Sequence, residues 1–204
     1  MSVSLILIIL TVVLSFIAFQ NSYFFERALF RPYMMKQNNE WWRWVSNGFI
    51  HADIGHLFVN MFSLYFFSGY IEGAFNVVTG SETGIMFIVF YLSAIVVSGM
   101  YDYHKHQDQY SYSALGASGA VAAVIFAYII YNPFGMIYLY AVIGIPAWLF
   151  GILYLFYEYY MGKKKMDNIG HNAHFFGAVY GLIFPILIHP QTGLNFLAII
   201  ADKF

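Results

Sequence analysis

The chain has 204 residues, 61% of them hydrophobic and 22% aromatic, with only 9% charged and a formal net charge of -1. Soluble domains carry about 25% charged residues, so long apolar runs with sparse charge between them mark an integral membrane protein with very little soluble domain. The near-neutral charge argues against a nucleic-acid partner, and the lack of cysteine excludes disulfides, thiolate metal sites and a cysteine nucleophile.

Six apolar segments are long enough, or nearly so, to cross a bilayer core that needs about 20 helical residues. They span roughly 3–20, 55–77, 84–101, 115–132, 137–160 and 170–188. The first lacks the basic start and the small-residue cleavage site of a signal peptide, and reads as a retained helix. These segments are apolar on every side, which predicts helices and no sheet. Tyr131, Tyr159 and Tyr160 sit at segment ends as interfacial anchors should. The expected fold is therefore all-α, one polytopic six-helix domain over residues 1–204.

The connections are unequal. Loop 1, about 21–54, is long and holds Arg27, Arg31, Lys36, Trp41, Trp42, Arg43 and Trp44, which predicts a structured element lying partly in the interface. Loops 2 and 4, around 79–83 and 132–135, read as tight. Loop 3, 102–113, reads as a polar solvated loop carrying Asp102, His104, His106 and Asp108, and loop 5 carries Lys163, Lys164 and Lys165. The tail beyond Pro190 is too short for another domain.

Polar side chains inside membrane segments are the candidates for function. Segment 2 carries His56 and Asn60, spaced i, i+4 on one helical face. Segment 4 carries Ser118 in Gly-Ala-Ser-Gly, and segment 6 carries His171 and His174. All lie near the starts of even-numbered segments, which face one side of the membrane. His174, Gly177 and Gly181 share one face, as do Ser118, Ala122 and Ile125. A Gly/Ala seam between segments 4 and 6 would bring the Ser118 hydroxyl to the His174 imidazole, the arrangement in which a base takes the serine proton. Ser118 also opens a helix, where free N–H groups favour negative charge, and His56 and Asn60 can add donors to an oxyanion hole. Asp167, two turns before His174, is too far to orient it within one helix, about 10 Å away. Glu72 lies about 18 Å beyond Asn60 and reads as structural, as do His51 and Asp53.

These residues together resemble the rhomboid intramembrane serine proteases over nearly the whole chain. Trp42-Arg43 is similar to the family's loop motif, and His51 with His56-Leu-Phe-Val-Asn60-Met to its second-helix motif. Glu72 falls at the family's glutamate. Gly116-Ala-Ser-Gly119 is similar to the nucleophile motif, and Ala173-His174-Phe-Phe-Gly177-Ala-Val-Tyr-Gly181 to the histidine motif. The resemblance implies Ser118 as nucleophile, His174 as base, and His56 and Asn60 holding the oxyanion with the Ser118 N–H. It implies transmembrane protein substrates cut in or beside their membrane segments, with no metal and no cofactor. One departure stands out: many members place a tyrosine against the histidine four residues after the serine, and this chain has Ala122, with Phe126 one turn on as a possible replacement.

Two other readings compete. One is a metal or haem protein ligated by His56, His171 and His174, although no paired carboxylate supports it in the sequence. The other is a non-catalytic rhomboid-like protein that binds membrane clients. Orientation divides the warrants too. Loops 1, 3 and 5 hold eight of the nine Lys and Arg residues, leaving Lys203 alone on the other side. The positive-inside rule then puts the site's mouth in the cytoplasm. Resemblance to bacterial members implies the reverse, a cell-membrane protein whose site opens to the extracytoplasmic side, and that is the expectation adopted.

Overall fold

The computed structural model describes residues 2–139, 142–164 and 169–203. Lys165 and Asp167, considered above, lie outside the described residues. The chain is built of helices: α1 (Val3–Gln20), α2 (Ser22–Ala28), α3 (Pro32–Asn38), α4 (Arg43–Ser46), α5 (Ile54–Thr79), α6 (Ile85–His106), α7 (Ser118–Tyr131), α8 (Ala147–Lys164), α9 (His171–Ile188) and α10 (Gln191–Ala201). Four of them, α1, α5, α6 and α9, are each long and apolar enough to cross a membrane. The 14 residues of α7 rise only about 21 Å, and α8 carries Glu158, Lys163 and Lys164.

The helices bury polar groups beside an aromatic and aliphatic core, and they also turn many large apolar side chains outward, as a water-soluble bundle does not. On α1, Ser4, Thr11 and Ser15 are buried while Ile6, Ile9, Leu10, Val13, Phe16 and Ile17 are exposed. On α5, Asn60, Ser68 and Glu72 face inward while Phe58, Phe62, Tyr65 and Phe66 face out. An apolar exterior of this extent is stable only against lipid. The chain is therefore an integral multi-pass membrane protein.

The short helix α7 is enclosed by α5, α6 and α9, and packs most extensively on α9. The cause is glycine. A Cβ added at Gly177 would lie 2.1 Å from the Gly119 carbonyl oxygen, and one at Gly181 would lie 2.1 Å from that of Ala123. The two backbones touch with no side chain between them. The predicted Gly177/Gly181 face is correct. On α7 the contact falls on Gly119 and Ala123, one position round from the expected face, and Ala122 packs instead with Phe126, Ile129 and Ala178.

Loop 1 is structured, as predicted. It comprises α2, α3, α4 and a 3-10 turn at Asn47–Phe49. Its centre is the buried Arg43, whose guanidinium donates to Glu40 at 2.5 Å and to the carbonyls of Glu26 and Leu29 at 2.8 and 2.7 Å. Arg27 stacks on the Trp42 ring. Glu72 is structural: its carboxylate accepts from the Val3 and Ser4 N–H groups at 2.8 and 2.9 Å, capping α1 from α5. Asp53 caps α5 by accepting from the His56 N–H at 2.8 Å.

Three expectations are corrected. The fold is all-α in its helical body, but it contains strands. The turn at 132–135 is tight, closed by the Gly135 N–H on the Asn132 carbonyl at 3.1 Å, but Met136–Leu139 (β1) then pairs antiparallel with Ile143–Pro146 (β2), and the fifth helix begins at Ala147 rather than 137. Pro146 disfavours helix at the residue before it, and the first N–H groups of α8, from Ala147 and Trp148, donate to the Gly135 and Pro133 carbonyls, both at 2.8 Å. The third correction is Asp102. It is not in a solvated loop but buried on α6, which runs on to His106, and it accepts from Asn172 Nδ2 of α9 at 3.1 Å.

The seam makes a direct prediction. Gly181→Ala drives a methyl into the Ala123 carbonyl and should destabilise the protein by about 1–3 kcal/mol, read as a lower unfolding midpoint in detergent. Gly69→Ala, with no atom within 4 Å of the added Cβ, should leave the midpoint unchanged or slightly raised. Equal midpoints for both variants would mean that the seam is loose.

Candidate active site

The site forms where the starts of α5, α7 and α9 meet. Ser118 is the first residue of α7, and the turn that delivers it is tied to loop 1 at three points. Phe30 and Ala114 exchange backbone hydrogen bonds at 2.9 and 3.0 Å. The Gly116 N–H donates to the Asn47 carbonyl at 3.0 Å. The Ala117 N–H donates to His51 Nε2 at 3.4 Å. Gly116 has φ 111°, and a Cβ there would sit 2.6 Å from His56 Cε1. Only glycine gives the chain this conformation and admits the His56 imidazole so close.

His51 is fully buried and serves this turn. Its Nε2 accepts from Ala117, so its proton sits on Nδ1 and is donated to Ser15 Oγ at 2.9 Å, while Ser15 Oγ donates to the Phe49 carbonyl at 3.2 Å. Burial, with the nearby His56 imidazole as a second cause, lowers the His51 pKa to about 3. The structural reading of His51 from the sequence holds, and the structure adds its partner, the residue before Ser118.

His174 lies in the first turn of α9, and its N–H donates to the Gly170 carbonyl at 3.0 Å. A Cβ on Gly119 would lie 3.2 Å from the Ala173 carbonyl oxygen, so the chain neighbours of Ser118 and His174 touch across the α7–α9 crossing. Asn60 is buried one turn beyond His56, and its Nδ2 donates to the His56 carbonyl at 2.9 Å, leaving a second N–H on that nitrogen. The first N–H groups of α7, from Ser118 on, are those that a helix start leaves without intrahelical acceptors. The structure thus brings Ser118, His174, His56 and the first turn of α7 to one place.

One residue of this cluster was missed in the sequence. Glu158, on α8, is buried and accepts from His171 Nδ1 at 2.6 Å and from His174 Nδ1 at 3.2 Å. It is legible in the sequence as an ionisable side chain inside an apolar segment, but nothing in the spacing pairs it with a histidine of another segment. Phe126, the suggested replacement for the stacking tyrosine, packs on Tyr154 of α8 instead. Glu158, His171 and His174 each offer a ligand atom within 4.8 Å of the others, a set able to hold a divalent cation, whereas His56, from the ligand set considered above, is not in it.

The Rhomboid domain family model matches residues 38–191 of this chain. The chain is 31% identical over 149 residues to RHOMBOID-like protein 12, mitochondrial, of Arabidopsis thaliana. That match covers 68% of this chain and 44% of the relative, so the chain spans less than half of that protein's length.

The His51 tie predicts a pH dependence. Its folded pKa lies below the ordinary 6.5, so the unfolded chain takes up the proton first. The stability it contributes is complete above about pH 6.5 and is lost as pH falls toward 3. Unfolding midpoints in detergent should therefore drop across that window, and His51→Gln should flatten the drop. Parallel curves for the two proteins would place the pH dependence elsewhere.

Proposed function

The chain belongs to the rhomboid family, and on that premise we propose that it is an intramembrane serine endopeptidase working through Ser118 and His174. The observation that carries this reading is the junction of the α7 and α9 starts across a backbone contact, with His56 over the Gly116 turn. His174 takes the Ser118 proton as Oγ attacks the scissile carbonyl. The oxyanion so formed is held by the Ser118 N–H, His56 and Asn60. His174 returns the proton to the leaving amine, and a water then hydrolyses the acyl-enzyme by the same exchange in reverse. The substrates are other membrane proteins. A membrane helix hides its scissile bond behind backbone hydrogen bonds, so segments with Gly or Pro near the cut, which unwind at low cost, are preferred.

A non-catalytic, client-binding relative is the rival within the family; it has no use for the Ser118–His174 pair. The second rival is a metal protein, favoured by the Glu158, His171 and His174 set. Cleavage of a Gly-containing transmembrane reporter in detergent separates the three. Ser118→Ala should abolish it with an unchanged unfolding midpoint, His174→Ala should abolish it as well, and Asn60→Ala should slow it by about 100-fold or more. Chelation should leave the wild-type rate unaltered. Wild-type cleavage by Ser118→Ala would end the serine mechanism, and loss of activity on chelation would favour the metal.

We place the protein in a cell membrane with both termini cytoplasmic and the site opening to the extracytoplasmic side, against the count of Lys and Arg. Loop 1 folds into short helices around Arg43, so its charges are poor topological counters. The chain has no cysteine, so single cysteines report cleanly. Lys164→Cys should react in intact cells with a membrane-impermeant thiol reagent, and a cysteine appended after Phe204 should not. The reverse pattern would mean that the charge rule sets the topology.

A further inference from the structure

We propose that Glu158 is the positioning residue of the His174 base, so that three helices supply a Ser118–His174–Glu158 triad. The inference rests on the proteolytic reading. Glu158 is 4% exposed on α8, whose other charged residues, Lys163 and Lys164, lie in its last turn. A buried carboxylate is retained only where its oxygens are satisfied, since the desolvation cost is several kcal/mol. Here one oxygen accepts from His171 Nδ1 at 2.6 Å and the other from His174 Nδ1 at 3.2 Å.

The chemistry follows from which atoms are paired. An ionised carboxylate only accepts, so it holds the proton of neutral His174 on Nδ1. The Nε2 lone pair is then free on the other side of the ring. A general base facing a serine needs that tautomer, and in Ser-His-Asp enzymes a buried carboxylate on Nδ1 maintains it. The position that could have braced the imidazole from α7 is Ala122, which has no ring and packs with Ala178 and Phe126. His171 takes no part in this relay; it pairs with the other carboxylate oxygen from one turn earlier on α9. The triad thus crosses from α7 through α9 to α8, and its third member lies 16 residues before the base in sequence.

The test uses the full chain in detergent with a transmembrane reporter. Leu at position 158 accepts nothing, and Gln accepts from one imidazole only by donating to the other. Glu158→Leu and Glu158→Gln should therefore lower kcat by about 100-fold or more, with KM within twofold of wild type. His171→Leu cuts the second hydrogen bond of Glu158 to α9 but leaves the Glu158–His174 contact, and should keep kcat within a few-fold. A role confined to joining the two helices predicts equal losses in the two sets. Nitrogen-15 imidazole spectra give a readout independent of turnover: neutral His174 should carry its proton on Nδ1 in wild type, and not in Glu158→Leu. Wild-type kcat in both Glu158 variants, or an Nε2-protonated His174 in the wild-type protein, would overturn the proposal. If cleavage proves independent of Ser118, the proteolytic reading falls, and the spectra still decide whether Glu158 sets the His174 tautomer.

Discussion

Everything at the site depends on two helices touching backbone to backbone. Within a membrane there is no hydrophobic driving force to press one apolar helix on another, so close packing must supply the association. Gly177 and Gly181 remove two side chains from α9, and Gly119 and Ala123 present their backbones to the space. A single methyl at either glycine of α9 would hold the helices apart. At that separation Ser118 and His174, which sit on the first turns of their helices, would part as well.

Among the described residues, the few buried charges around this contact each have a partner. Glu72 caps α1, Arg43 gathers two carbonyls and Glu40, Asp102 receives Asn172, and Glu158 receives two imidazoles. In a low-dielectric interior an uncompensated charge is far more costly than a missing apolar contact. These ties therefore select one arrangement of helices among the many that lipid alone would tolerate. Three of them, with the His51 link to Ala117, converge on the same end of the molecule. Rigid support is concentrated at the end where Ser118, His174, His56 and Asn60 lie.

Much of this was legible from residue types and spacing. The glycines at i and i+4 on α9 announced the seam, and polar residues at the starts of apolar segments announced the cluster. The ribbon at 136–146 was not, because Ile137, Tyr138, Ile143 and Ile145 suit a strand but also continue an apolar helix pattern. Pro133 and Pro146 were the signal against a helix there. Asp102 was lost because a helix end cannot be located from hydropathy alone; His104, Lys105 and His106 complement the C-terminus of α6 and carry it past the apolar run. Glu158 escaped for a different reason. Its role comes from a contact between α8 and α9, and periodicity within one helix says nothing of which neighbour a side chain meets.

The central claim is that Ser118 is an activated nucleophile. The most direct measurement is intact-mass and peptide analysis of the full chain after reaction with a serine-reactive fluorophosphonate. The account predicts one adduct, on Ser118, that is lost in His174→Ala although the serine remains. No adduct on Ser118, or equal labelling with and without His174, would contradict it.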